Sequence, residues 1–444
     1  MDDTPEQAMQ AIFSDNARFQ RWLDVEASLA KAQAALGIIP KEAAEAISRK
    51  ARVELLDLVR YKEKYLETAH PMVALLRLFQ PIVEGGAGQY VHLGATTQDI
   101  MDTSTILALK GAQGVIFESL RRIELALLSL AEEHADTIMA GRTHGVQALP
   151  ITFGYKAAIW AREVRRSIER LKECRNRVLV VQLSGAVGTM AAFGLSGPEI
   201  QSLVAKDLGL GAPDISWHAS RDRLVEFVNI LVLIALALGR MAQEVYRLMA
   251  TEVGEVCEPW QRGVVGSSTM PHKVNPRISE NMVSFARKIR YAAAFVTEVA
   301  MVDHERNLEH FLGEMEKLEE SCRNMGGLLT YGEDMAANMT VDAYRIRKNL
   351  GLTNGLMLSE AVMIELGKKI GKQSAHEVVY EDAMKAIKER VDFAQVLLED
   401  TRVNQHLSEA DLDKLLNPME YIGLAPLMAR NMVSLSRKER ECEG

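Results

Sequence analysis

Cysteine is scarce in this 444-residue chain: Cys174, Cys257, Cys322 and Cys442 stand far apart and form no CxxC pair. Neither a disulfide framework nor a zinc ribbon is indicated. Aromatic residues make up only 6% of the chain, which disfavours a sheet-rich fold, because strands draw heavily on aromatic and β-branched side chains. A basic excess is missing as well. The 52 lysines and arginines are outnumbered by 60 aspartates and glutamates, giving a net charge of −8. No basic tail or stripe is present to neutralise phosphates, so neither nucleic acid nor an anionic membrane is expected as a partner. An anionic substrate must then meet a local positive site. The chain opens on the acidic Met1-Asp2-Asp3 with no basic stretch leading into an apolar one, so no secretory signal is read and a cytoplasmic location is expected. His304, Glu305 and His310 lie near one another without HExxH or comparable spacing, and no metal or other cofactor is expected.

What is present favours helix. Hydrophobic residues make up 48% and charged residues 25% of the chain, enough to bury a large core. The abundant Ala, Leu, Met, Glu and Lys are good helix formers, so an all-α fold is expected. A first helix reads from Ser14/Asp15 as its N-terminal signal through Trp22, Val25, Leu29 and Ala32 to Gly37 and Pro40 as stops. Ile116, Leu120, Ile123, Leu127 and Leu130 mark one side of a second, long helix. Leu224, Phe227, Leu231, Ile234, Leu238, Met241, Val245 and Leu248 repeat at three and four residues without a break, the spacing that lets helices interlock. Met282, Phe285, Ile289, Ala292 and Val296 continue it. Within this pattern the run from Phe227 to Leu238 is apolar nearly all round yet short of the ~20 residues that span a bilayer, and so reads as a core or inter-subunit helix. The basic segment from Arg162 to Arg177 is interleaved with Glu163, Glu169 and Glu173 at helical spacing, which predicts a solvated or inter-subunit face. The charged tail from Arg437 to Gly444 is expected to fray. The expected division is an N-terminal helical domain over residues 1–100, a central helical bundle over 101–345, and a C-terminal helical domain over 346–444.

Three polar, glycine-containing segments interrupt the helices: HLGATTQD from His92 to Asp99, GRTHGVQALP from Gly141 to Pro150, and GSSTMPHKVNP from Gly266 to Pro276. Taken singly, each could be a helix connection with capping hydroxyls. Together they resemble, in the same order and at fitting separations, the three signature regions of the fumarase/aspartase superfamily, the third most specifically. That resemblance covers most of the chain. It implies a three-part, mostly helical subunit whose central bundle forms a homotetramer, with each active site assembled from loops of three subunits. It also implies roles. Ser267 matches the base, Ser268 its neighbour, and Lys273 and Asn275 the grip on the carboxylate next to the carbon that loses its proton. Thr96, Thr97 and Gln98 match carboxylate-binding positions. His144 matches the general acid of the adenylosuccinate lyase branch, and His70 resembles that branch's second histidine, although Pro71 stands where an acidic residue is usual. His272 lies inside the third segment and is read as shaping it.

The chemistry fits those residue types. Removing a proton beside a carboxylate needs a base and donors that hold the doubly charged aci-carboxylate. A serine becomes a usable base when backbone N–H groups and an ammonium stabilise its alkoxide. A histidine, titrating near neutrality, can protonate the departing group on the other side. The implied activity is β-elimination from a succinyl-type dicarboxylate, an N-substituted aspartate above all, with release of fumarate or a close analogue. Other segments point to a neighbouring branch. Trp217-His218, Arg221-Asp222-Arg223, Glu255-Val256-Cys257-Glu258-Pro259 and Asn349-Leu350-Gly351-Leu352-Thr353 resemble 3-carboxy-cis,cis-muconate cycloisomerase, a lactonising alternative. The residues after Glu305-Arg306 differ from those with which adenylosuccinate lyase holds its nucleotide phosphate. A non-catalytic helical scaffold is the competing reading of another class, and a fumarate-induced thermal shift separates it from an enzyme.

Overall fold

The structure is a computed structural model that describes residues 3–260, 269–270 and 272–443, and of 308–312 the backbone alone. It is overwhelmingly helical, as the composition predicts. The elements that position the site are α1 (Asp15–Ala35), α2 (Pro71–Phe79), α3 (Thr97–Glu133), β1 (Ile138–Thr143), β2 (Val146–Thr152), α4 (Phe153–Glu173), α5 (Asp222–Leu248), α6 (Arg277–Val299), α7 (Leu308–Asn338) and the C-terminal α8 (Ala425–Glu441).

The sequence signals act as read. Ser14 caps α1 by accepting from Ala17 N–H, and Gly37, at φ 70°, lets the chain leave the helix in the left-handed region. All eight positions of the seam from Leu224 to Leu248 are buried on α5, as are Ile116, Leu120, Ile123 and Leu127 on α3. The run from Phe227 to Leu238 lies within α5, a 27-residue helix that is long and apolar enough, by length and composition only, to cross a membrane; 56% of its most apolar 18-residue window is buried inside the protein.

The chain divides into two compact units, each of which takes parts of the long helices. The first comprises residues 1–121, 166–239 and 281–331. Its core packs Trp22, Leu23 and Val25 of α1 with Met72, Leu75 and Phe79 of α2 and with Ile100 and Met101 of α3. Burying each such side chain stabilises by about 1.5–3 kcal/mol, so the start of α3 is firmly seated. The second comprises residues 122–165, 240–280 and 332–444. Val362, Leu366, Val379, Phe393 and Leu397 form the core of its C-terminal part.

Two departures from expectation occur in the second unit. Within the basic segment, whose other charged side chains are exposed or half-buried, Arg165 is not on a solvated or inter-subunit face. Its side chain is 1% exposed, and its guanidinium reaches Glu124 on α3 and, at 2.6 Å, Glu443. Up to Glu441 the tail is likewise helical and not frayed: Arg440 reaches Glu124 at 2.6 Å and Arg437 reaches Glu132 at 2.6 Å, so α8 is tied to α3 through its last turns. The physical reason is the same for both. Glu124 is fully buried and needs cations, which come from residues 41 and 316 positions away.

Candidate active site

The GRTHGVQALP segment is a β-hairpin rather than a loop. Thr143 pairs with Val146 and Arg142 with Gln147, leaving His144 and Gly145 as a two-residue turn. Both turn residues have positive φ, 54° and 81°, the backbone that matches the twist of two antiparallel strands and that glycine adopts without cost. His144 stands exposed at the tip. Both strands beneath it are anchored. Arg142 makes two hydrogen bonds, at 2.8 and 2.6 Å, to the fully buried Glu255, which also accepts from Asn349 Nδ2 at 2.8 Å, while Gln147 donates to the Asn349 carbonyl at 2.9 Å.

Glu258, three residues on, does the equivalent for the third polar segment. Its buried carboxylate accepts from Ile278 N–H at 2.8 Å and Ser279 N–H at 3.0 Å, in the first turn of α6, where a negative charge is favoured. The EVCEP motif therefore supplies one carboxylate to the hairpin and one to the helix that follows the signature segment. Lys273 is exposed and Asn275 half-buried ahead of α6, and His272 is exposed. Ser267 and Ser268 lie outside the described residues.

In the first unit, His70, Thr96, Thr97 and Gln98 come together at the N-terminus of α3. His70 caps α2: its Nδ1 accepts from Val73 N–H at 3.4 Å, which leaves the proton on Nε2, facing Thr97 Oγ1 at 3.4 Å. Burial, followed by the charge of Arg306, pulls this imidazole below its ordinary value, so His70 stays neutral at a pH where a free histidine begins to charge. The N-terminus of a 37-residue helix is favourable to anions. Arg306 adds a full charge there. The sequence reading did not assign Arg306 to the site. Its guanidinium reaches Ala186 O at 3.1 Å and, at 3.4 Å each, Thr96 Oγ1 and Gln98 Oε1.

A buried layer supports these residues. Asp99, fully buried, accepts from Thr96 N–H, Ser184 N–H and Gly185 N–H at 2.9 to 3.0 Å and meets His218 Nε2 at 2.8 Å. Gly185 has φ 76°, and a Cβ there would stand 3.3 Å from Gly94 O, so glycine lets the two loops close against each other. Asp102 accepts from Gln98 and from Arg221, which is shared with Glu314. The Trp217-His218 and Arg221 motifs thus belong to this layer. The half-buried His92 pairs with the buried Glu26, its Nδ1 2.6 Å from Glu26 Oε1.

Burial disfavours the charged form of His92, but the hydrogen bond and charge of Glu26 outweigh it and raise the imidazole above its ordinary 6.5. The folded state therefore holds this proton more tightly than the unfolded chain does. That stability is fully present below pH 6.5 and lost as pH rises through the folded-state value. Denaturant midpoints from pH 6 upward are expected to fall more in the wild type than in Glu26→Gln; parallel profiles would show that the pair carries no such linkage.

A family model described as lyase matches residues 3–290, and one described as adenylosuccinate lyase C-terminus matches 355–432. The chain is 41% identical over 423 residues to N-acetyl-S-(2-succino)cysteine lyase of Dickeya dadantii, covering 95% of this chain and 92% of the relative. It is 40% identical over 440 residues to adenylosuccinate lyase of Methanocaldococcus jannaschii, covering 98% and 95%. The crystal structure of 3-carboxy-cis,cis-muconate lactonizing enzyme from Pseudomonas putida superposes with a TM-score of 0.90 at 36% identity, covering 97% of each chain.

Proposed function

Because the chain belongs to the fumarase/aspartase superfamily of lyases, we propose that it cleaves a succinyl adduct by β-elimination, releasing fumarate and a small amine or thiol. The observation that carries this reading is the meeting of His70, Thr96, Thr97, Gln98 and Arg306 at the positive end of α3. In an otherwise acidic protein, that is the local cationic site a dicarboxylate requires.

In the proposed reaction Ser267, with Ser268 beside it, removes the proton from the carbon adjacent to one carboxylate. Lys273 and Asn275 hold that carboxylate as it gains charge. Thr96, Thr97, Gln98 and their arginine hold the other. The electron pair then forms the double bond of fumarate and the bond to nitrogen or sulfur breaks, with His144 protonating the leaving atom. The neutral His70, its Nε2–H turned toward Thr97, serves as a donor beside the diacid rather than as a second cation. The leaving group is proposed to be small because the residues that follow Arg306 depart from the nucleotide-phosphate grip of adenylosuccinate lyase.

The working form is a homotetramer built on the helices of residues 101–345, with sites completed between subunits. Leu233 and Leu236 on α5, each 42% exposed, and Phe295 on α6, 44% exposed, support it: apolar side chains on core helices call for a further helix to cover them.

The test is a substrate panel followed by fumarate absorbance. N-acetyl-S-(2-succino)cysteine is expected to yield fumarate and N-acetylcysteine, and adenylosuccinate to react more slowly. Lactone from 3-carboxymuconate with no fumarate from any adduct would replace elimination by cycloisomerisation.

A further inference from the structure

The amide of Gln98 has two unlike ends, and the fold decides which one faces outward. Its Nε2 donates to Asp102 Oδ2 at 3.1 Å and to the His218 carbonyl at 3.3 Å, so both N–H groups are directed into the protein. Oε1 is therefore the end presented, and it accepts from Arg306 Nη1 at 3.4 Å. A side chain held in this way cannot itself donate to a substrate carboxylate. It holds the cation that does.

The orientation depends on Asp102 accepting from the amide, and its side chain is only 2% exposed. Arg221 holds both carboxylate oxygens in place. The guanidinium forks onto Asp102 at 2.8 and 3.0 Å, contacts Glu314 through Nε at 3.1 Å and through Nη2, and lies 5.1 Å from the centre of the Trp217 ring. A donor in place of that acceptor would turn the Gln98 amide over and point its NH2 at Arg306.

We infer that Asp102 and Arg221 are positioning residues for substrate recognition: by fixing the Gln98 amide with its oxygen outward, they hold Arg306 as the group that grips the substrate's distal carboxylate. This rests on the elimination reading and sharpens it, because Gln98 becomes the holder of an arginine rather than a direct carboxylate ligand. The network lies outside the bond-making steps. Its loss is expected in KM more than in kcat.

The experiment is a double-mutant cycle between Asp102→Asn and Gln98→Ala on the full-length enzyme, reading KM for the succinyl substrate and Kd for fumarate. Asp102→Asn alone is expected to raise both roughly tenfold, the scale of one charge-assisted hydrogen bond, with kcat changed less than about threefold. In the Gln98→Ala background the same substitution is expected to change KM less than about twofold, since no amide remains to orient. An equal change in both backgrounds, or a fall in kcat with KM unmoved, overturns the inference while leaving the activity standing. Wild type that neither binds fumarate nor turns over any adduct overturns the activity, and the inference with it. If Asp102→Asn does not yield folded protein, Glu314→Gln supplies the same cycle from the far side of Arg221, with the same directions expected.

Discussion

Replacing Ser267 by alanine is expected to lower kcat for fumarate release by at least ~10²-fold, with KM little changed. The size follows from the step. A proton beside a carboxylate is weakly acidic, and the alkoxide that removes it exists only where donors stabilise it, so no neighbouring group substitutes when the oxygen is lost. Ser268→Ala serves as the control. Its loss is expected to be the smaller, because Ser268 is proposed to bind substrate beside the base and not to take the proton itself. Single-turnover measurement separates chemistry from product release, and Ser267→Ala protein retaining near-wild-type turnover would remove Ser267 from the role of base.

The largest effect on stability is expected at Arg221. Arg221→Met should destabilise the fold by about 3–5 kcal/mol, because it strands two buried carboxylates. Asp102 and Glu314 expose 2% and 0% of their side chains. Burial already raises Glu314 above the ordinary carboxyl range, against the opposing pull of Arg221. In the variant Glu314, losing the pull of Arg221, should be driven further upward. A raised folded-state value means stability that is present at low pH and lost as pH rises, so the deficit relative to wild type is expected to be larger at pH 8 than at pH 5. Replacing Asp102 and Glu314 by apolar residues together with Arg221→Met should recover much of the loss, since it is unpaired charge rather than lost attraction that destabilises. Urea unfolding at the two pH values measures this, and a pH-independent deficit would show that Arg221 does not hold Glu314 as described.

Much of this architecture is legible in the sequence because it is written in local terms. Ser14 and Gly37 bound the first helix by capping and by positive φ, and the unbroken seam on α5 needs only a period of three and four. The hairpin that carries His144 is not legible in this way. Its turn is His-Gly rather than the usual Asn-Gly, and an irregular register between Ala140 and Arg142 breaks the alternation that marks strands. Arg165 reads as a surface residue because one of its partners, Glu443, lies 278 positions away. Thr96, Thr97, Gln98 and His70 are found through their resemblance to a family pattern. Arg306 escapes because the Glu305-Arg306 pair is followed by residues unlike those of adenylosuccinate lyase, and only folding sets it against Gln98 and Ala186. Physical reading of the structure also gives the EVCEP and Arg-Asp-Arg motifs their meaning. Glu255 ties down a hairpin, Glu258 the start of α6, and Arg221 an acid that turns an amide.

The central claim is that an ionised hydroxyl and an imidazole work from opposite sides of one diacid, and a crystal structure of the assembled oligomer with bound succinate tests it most directly. Ser267 Oγ and a ring nitrogen of His144, each from whichever subunit supplies it, should lie within about 3–4 Å of opposite sides of the succinate, close to the hydrogen-bond reach that proton transfer requires. Succinate bound elsewhere, or those two groups held too far apart to flank it, would contradict the account.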